Sequence, residues 1–321
     1  MLATVQPERR VVIALGGNAL IQRKQPPDAR PQLLNVKLAV ESIAPLANDH
    51  QLVITHGNGP QVGLLALESA ADTALTAPYP LDALGAETQG LIGYWLLQAL
   101  QNTLDGRAVA ALITQTLVSA RDPAFSRPSK FIGPVYSADR AAAVAAINGW
   151  SVKQDGQNWR RVVASPVPQA VIEIDVIRLL VDAGTIVICG GGGGAPVVRN
   201  SSGGLEGVEA VVDKDLTSAL IAESLHADTL ILLTDVAGVM TDITKANSVI
   251  RATTPIELRH QHFPEGSMGP KVDAICRFVE RTGGTGAIGA LTDVEAILAG
   301  RAGTIVKPGL LPRPTLERQA L

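Results

Sequence analysis

The sequence predicts an α/β fold on a mainly parallel central sheet, and three observations carry that expectation. Short apolar runs alternate with stretches of helical period along most of the 321 residues, the pattern of successive βαβ units. Hydrophobic residues make up 46% of the chain but aromatics only 3%, so the core has to come from Ala, Val, Leu and Ile. Such a core suits parallel strands buried on both faces beneath helices. Four glycine-rich clusters follow strand ends or precede helices, where open α/β sheets bind ligands.

In chain order, strands are expected at residues 11–15, 52–55, 108–113, 185–189, 229–233, 287–291 and 303–306. The intervening helices carry readable signals. Thr254-Pro255-Ile256-Glu257 and Thr292-Asp293-Val294-Glu295 both fit a capping box. Ile174, Ile177 and Val181 stripe one helix that Gly184 closes, and Val272, Ile275, Cys276 and Val279 stripe another. Two segments break the alternation. Residues 119–164 hold Pro123, Pro128, Pro134 and the polar run KQDGQNWRR, an excursion from the main sheet. Residues 197–207 (VVRNSSGGLEG) are polar and glycine-rich and read as a connection between two lobes.

Composition excludes several classes. A formal net charge of −3, with 27 basic and 30 acidic residues, gives no reason to expect nucleic acid or an anionic membrane as partner. No apolar run approaches the roughly 20 residues of a membrane-spanning helix. The start lacks the features of a secretory signal, so a cytoplasmic location is expected. Cys189 and Cys276 form no CxxC pair and read as reduced core residues. There is no Cys/His cluster with metal-ligand spacing, no GxSxG elbow and no Walker GxxxxGK[ST] pattern. Gly190-x-Gly192-x-x-Ala195 matches a dinucleotide fingerprint in form. Pro196 and a polar stretch follow it, however, where that motif needs a long helix.

The glycine clusters are Leu15-Gly16-Gly17-Asn18, His56-Gly57-Asn58-Gly59-Pro60-Gln61-Val62-Gly63, Gly190 to Gly194, and Gly266-Ser267-Met268-Gly269-Pro270-Lys271. Glycine lets the backbone approach a ligand closely, and consecutive N–H groups there hold phosphate oxygens. Asp213-Lys214-Asp215 opens a helix and sets a lysine between two acids beside backbone donors. Lys271 stands at the start of another helix, where a cation opposes the dipole and calls for an anionic ligand. Read alone, Lys130 in Pro128-Ser129-Lys130-Phe131 is a solvated surface lysine, and His56 a hydrogen-bonded structural residue. Phosphoryl transfer between anionic oxygens needs charge neutralisation and alignment more than a base, and lysines with glycine-loop amides supply both.

With these segments on view, the chain resembles the amino-acid-kinase family over essentially its whole length. ALGGNAL, GGGGGAPVV and GVEAVVDKDLTSALIAE belong to the wider family. THGNGPQVG, ETQGLIGY and RRVVASP add to the likeness, and DPAFSRPSKFIGPVYS and EGSMGPKV are particular to its carbamate kinases. The resemblance implies an open αβα sandwich, one domain over residues 1–321. Its N-terminal lobe (about 1–200) would take the phosphoryl acceptor and its C-terminal lobe (about 201–321) the nucleotide. Residues 119–164 would form a small protruding subdomain. It implies a homodimer that transfers a phosphoryl group reversibly between carbamoyl phosphate and ADP, giving ATP and carbamate, with Mg²⁺ carried by the nucleotide.

By motif, Gly16, Gly17 and Asn18 would contact the transferred group, and Gly57, Asn58 and Gly59 the carbamate. Gly191 and Gly192 would lie near the phosphates. Lys214 and Lys271 would neutralise them, Asp215 would orient the lysines, and Lys130 would reach over the site. Thr234, Asp235, Val236, Val239, Met240, Met268 and Gly269 would border the nucleotide. TDVAGV at 234–239 reads more like acetylglutamate and uridylate kinases. A sibling kinase for another small carboxylate or phosphate, and a non-catalytic nucleotide-binding regulator, are the alternative readings.

Overall fold

The computed structural model describes residues 9–21, 25–242, 245, 248–261, 263 and 268–309. The chain opens with β1 (Arg9–Leu15), one helical turn α1 (Gly17–Leu20) and α2 (Ala29–Ile43). It continues through β2 (His50–His56), α3 (Gly59–Ala71), α4 (Leu81–Thr103) and β3 (Val109–Ala111). After β4 (Gln115–Val118) come β5 (Lys130–Tyr136), α5 (Ala138–Asn148), β6 (Val152–Asp155) and β7 (Asn158–Val163). The chain returns by β8 (Pro168–Val171), α6 (Ile174–Asp182) and β9 (Ile186–Ile188). Then follow β10 (Ala195–Arg199), β11 (Leu205–Gly207), α7 (Lys214–Ser224), β12 (Thr229–Thr234) and β13 (Ala252–Thr253). The last elements are α8 (Pro255–Arg259), α9 (Gly269–Thr282), β14 (Thr285–Ala290), α10 (Val294–Leu298) and β15 (Thr304–Val306).

Eight strands form the main sheet in the order β13-β15-β14-β12-β1-β2-β9-β3. Every neighbouring pair is parallel except β14–β15. Successive side chains of β1 point to opposite faces. Val11, Ile13 and Leu15 pack with α2, α4 and α10, whereas Val12 and Ala14 pack with α6, α7 and α9. Helices on both faces make the three-layer αβα arrangement that the aliphatic composition requires. Each fully buried Leu, Ile or Val contributes about 1.5–3 kcal/mol of transfer free energy, and β1 is buried from Val11 to Leu15.

Two smaller sheets flank this core. One has the order β11-β10-β4-β8; the other is the antiparallel β5-β7-β6, which together with α5 makes the excursion. Three sequence expectations are corrected. Residues 197–207 are not a connection: β10 and β11 pair as an antiparallel hairpin, and Asn200 Oδ1 accepts from the amides of Ser202 and Gly204 to close its turn. Thr254 forms the expected capping box with Glu257, but the one at Thr292 does not form. There Leu291–Asp293 makes a 3₁₀ turn, and α10 starts one residue later without a side-chain cap. The third concerns Val239, treated with the site.

Candidate active site

β12, β1, β2 and β9 are adjacent parallel strands, so the loops leaving their C-terminal ends converge. Those loops hold Thr234–Asp235, Gly16–Gly17, Gly57–Gly59 and Gly190–Gly194. Three of the four glycine clusters thereby meet at one sheet edge. Close packing explains why these positions are glycines. A Cβ on Gly57 would lie 3.1 Å from the Gly17 amide nitrogen and 3.4 Å from Lys214 Cδ, and one on Gly16 would lie 2.9 Å from Leu233 O. Side chains at Gly191 and Gly192 would overlap the His56 ring and the Asn58 amide. Gly190, Gly192, Gly193 and Gly194 all have positive φ, between 61° and 90°, which L side chains rarely adopt. Thr116 and Thr217 brace this loop by donating to Gly193 O at 2.7 and 3.0 Å.

Charge gathers at the head of α7. Asp215 accepts from Lys214 Nζ at 2.5 Å through one carboxylate oxygen and from Lys271 Nζ at 3.0 Å through the other. Asp213 caps the helix, taking the amides of Asp215 and Leu216 on Oδ1, while its Oδ2 accepts from Lys130 Nζ at 2.5 Å. Lys214 and Asp215 are nearly buried, with side chains 9% and 5% exposed, whereas Lys130 is 29% exposed. Five charged groups from β5, α7 and α9 thus share one cluster: three ammonium groups on two carboxylates, one positive charge in excess. That excess sits beside the N-terminal ends of α3, α7 and α9, whose dipoles also favour an anion.

Burial lowers the Lys214 pKa, with Asp215 opposing the shift and Lys271 adding to it. For Asp215 burial works upward, but the two ammonium groups outweigh it and hold the carboxyl well below the usual carboxylate range. Lys271 feels burial downward too; Asp215, with Asp213 and Asp235 behind it, nevertheless raises it above its ordinary value. One carboxylate therefore serves two unlike lysines, because Lys214 is the more buried. His56 is buried and donates from Nδ1 to Gly57 O at 3.1 Å. Burial first, then Lys214, lowers its pKa to about 4 against the opposing Gly57 bond, so it is neutral near pH 7. It fits the structural reading.

The remaining positions are less uniform. Asn58 is buried and donates to Thr88 Oγ1 at 2.7 Å, and Gly59 begins α3. Thr234 ends β12 and donates to Asp235 Oδ1 at 3.1 Å; Asp235 is close enough to act on Lys271. Met268 and Gly269 head α9. Val239 departs from the expectation that it borders a ligand: it is fully buried in the apolar core, and its amide donates to Thr304 Oγ1. Of Asn18 only the backbone is described, and Gly266 and Ser267 lie outside the described residues. Sequence reasoning missed Asp213 as the acceptor of Lys130 and Thr88 as the anchor of Asn58. The first acid of DKD was the only available signal for Asp213.

The chain matches the Amino acid kinase family over residues 9–289, and it belongs to that family. Within it the likeness is to carbamate kinases. The chain is 52% identical over 301 residues to the carbamate kinase of Rhizobium meliloti (strain 1021), covering 92% of this chain and 93% of that one. It is 46% identical over 299 residues to that of Escherichia coli (strain K12), covering 93% and 99%. Among solved structures, carbamate kinase from Giardia lamblia bound to AMP-PNP superposes with a TM-score of 0.85 at 37% identity, covering 94% and 99%.

Proposed function

We propose that this protein is a phosphotransferase that moves a phosphoryl group reversibly between carbamoyl phosphate and ADP, giving ATP and carbamate. The observation that carries the reading is the cluster of Lys130, Lys214 and Lys271 on Asp213 and Asp215, set where the glycine loops of β1, β2 and β9 meet. A migrating phosphoryl group spreads negative charge over its equatorial oxygens, and catalysis consists of holding that charge in line between two anions. Lys214 and Lys271, fixed by Asp215, supply preorganised positive charge without reorganisation. Lys130 adds a third cation from β5. The amides of Gly16, Gly17, Gly191 and Gly192 and the Asn18 position take phosphoryl oxygens, while Gly57, Asn58 and Gly59 hold the carbamoyl end. Thr234, Asp235, Val236, Met240, Met268 and Gly269 border the nucleotide, with Val239 supporting them from the core.

No base is required, and the neutral, internally bonded His56 is not placed to serve as one. Among the described residues no three His, Cys, Asp or Glu side chains group to hold a metal, and Asp213 and Asp215 are committed to lysines. In this reading Mg²⁺ would arrive on the nucleotide and supply neutralisation of phosphate charge there. The reading includes a cytoplasmic location, in keeping with two buried free cysteines, and a homodimer. Apolar Leu34 and Leu38 on α2 and Leu91 and Tyr94 on neighbouring α4 are exposed and available for such a contact; sedimentation tests it. A coupled assay of ATP formation from carbamoyl phosphate and Mg-ADP tests the reaction. Turnover there, with none for acetylglutamate or UMP plus ATP, is expected, and the reverse preference would overturn the assignment.

A further inference from the structure

Lys130 enters the cluster because β5 lies across α3, and at the crossing two backbones meet through glycines. A Cβ built on Gly63, in the second turn of α3, would overlap the Cα and amide nitrogen of Gly133 and lie 3.1 Å from the carbonyl carbon of Ile132. These are backbone atoms, which cannot swing aside as a side-chain tip does. By contrast Gly85 and Gly90 of α4 face open space. A mid-helix glycine costs about 0.5–1 kcal/mol relative to Ala, so its presence at position 63 answers to the contact and not to the helix.

The other side of the contact is equally constrained. Gly133 has φ +70° and lies where the β5–β7 register shifts, between Ile132 and Tyr136. Its carbonyl accepts from Arg160 Nη2 at 3.0 Å, and the Arg160 guanidinium also stands 5.8 Å over the Phe131 ring. One turn up α3 from Gly63, a Cβ on Gly59 would sit 3.9 Å from Phe131 O, so the same strand lies over the start of the helix. Lys130 precedes Gly133 by three residues on this strand and ends on Asp213.

We infer that Gly63 is a positioning residue: the absence of a side chain there sets the height of β5 on α3, and with it the placement of the Lys130 ammonium over the phosphoryl-transfer site. The catalytic consequence rests on the proposed phosphoryl transfer; the packing does not. Carbon atoms pack at about 3.5–4.0 Å, so Gly63→Ala forces β5 outward by on the order of 1 Å. Misplacement of about that size can cost up to about 10²-fold in rate.

The test combines a double-mutant cycle with hydrogen exchange on the full chain. Gly63→Ala is expected to lower kcat by about three- to tenfold, no more than removal of the Lys130 ammonium itself, with KM for ADP changed less than about twofold. In a Lys130→Ala background the same substitution should cost less than about twofold, because the group it displaces is already gone. Amides of residues 130–136 should exchange faster in Gly63→Ala than in wild type, while those of β1 do not. Equal losses in both backgrounds, or unchanged exchange in β5, would overturn the inference. If Lys130→Ala leaves too little turnover to measure, β5 exchange alone decides. Should Gly63→Ala fail to fold, Gly133→Ala replaces it in the exchange arm: its Cβ meets Gly63 Cα at 3.3 Å and its φ of +70° adds backbone strain, so unchanged exchange in β5 there would overturn the inference. The exchange arm needs no substrate, so wild-type protein inert toward carbamoyl phosphate would refute the proposed reaction and leave the packing inference to be judged separately.

Discussion

Lys214 and Lys130 bring the same charge to one cluster from two mechanically different regions. Lys214 opens α7, a helix packed on the main sheet and against α9, and it is buried on a carboxylate that a second lysine also grips. Lys130 stands on a strand of a separate three-stranded sheet, more exposed, on an acid that already caps a helix. The first arrangement fixes charge permanently; the second makes it depend on how the excursion lies against the body. Stability and turnover should therefore respond differently at the two lysines.

The largest contrast is expected between the two acids. Asp215→Asn leaves two ammonium groups without their shared carboxylate and should destabilise the protein by about 3–5 kcal/mol in denaturant unfolding. Asp213→Asn keeps a capping oxygen, and its partner is partly solvated, so the loss should stay near 1 kcal/mol. Comparable losses would mean that the two regions are equally rigid. Next, Lys214→Ala or Lys271→Ala should lower kcat by at least about 10²-fold, because each removes preorganised charge. Wild-type turnover in either variant would remove the basis for the proposed chemistry.

The rigid region should also leave a pH signature. His56 has a pKa of about 4 in the folded chain against 6.5 when unfolded, so between those values the unfolded state binds the extra proton. Stability is full above pH 6.5 and falls as pH drops toward 4, by on the order of 3 kcal/mol. His56→Gln should flatten that limb of the stability curve. Kcat/KM of the wild type should show no inflection near 6.5. Lys130→Ala, the smaller partner of the comparison, should cost turnover about tenfold with little change in midpoint. A loss equal to that of Lys214→Ala would make the two settings functionally alike. Thr254→Ala, which breaks a capping box remote from both lysines, should cost about 1 kcal/mol of stability and nothing in rate.

How much of this was readable beforehand follows from what each feature depends on. The β1, β2 and β12 strands declare themselves through continuous aliphatic runs, and the stripe of Val272, Ile275, Cys276 and Val279 is fully buried as its spacing requires. The β10–β11 hairpin was misread because its turn, Asn200 to Gly204, has the composition of a linker; only the cross-strand partners distinguish the two. At Thr292 the box failed because the preceding 3₁₀ turn shifts the helix start, a matter of geometry that no spacing encodes. Asp213 shows the limit best. One of its oxygens performs the local capping that the DKD motif announces, and the other binds a lysine 83 residues away. Gly63 ends a glycine cluster read as a ligand loop, whereas its packing reason lies in a strand from another sheet, which no local pattern announces.

A final consequence comes from how the excursion rejoins the body. Just beyond β7, Ala164 forms a parallel bridge with Ala210, and its carbonyl accepts the Val211 amide at 2.9 Å. Three residues after that bridge comes Asp213, the acid that Lys130 grips. Donor and acceptor of the conditional ion pair are thus stitched to the same seam. A displacement of the excursion pulls at the acid's own tether as well as at the lysine, and so reaches the first turn of α7 by way of the main chain, with no relay of side chains in between.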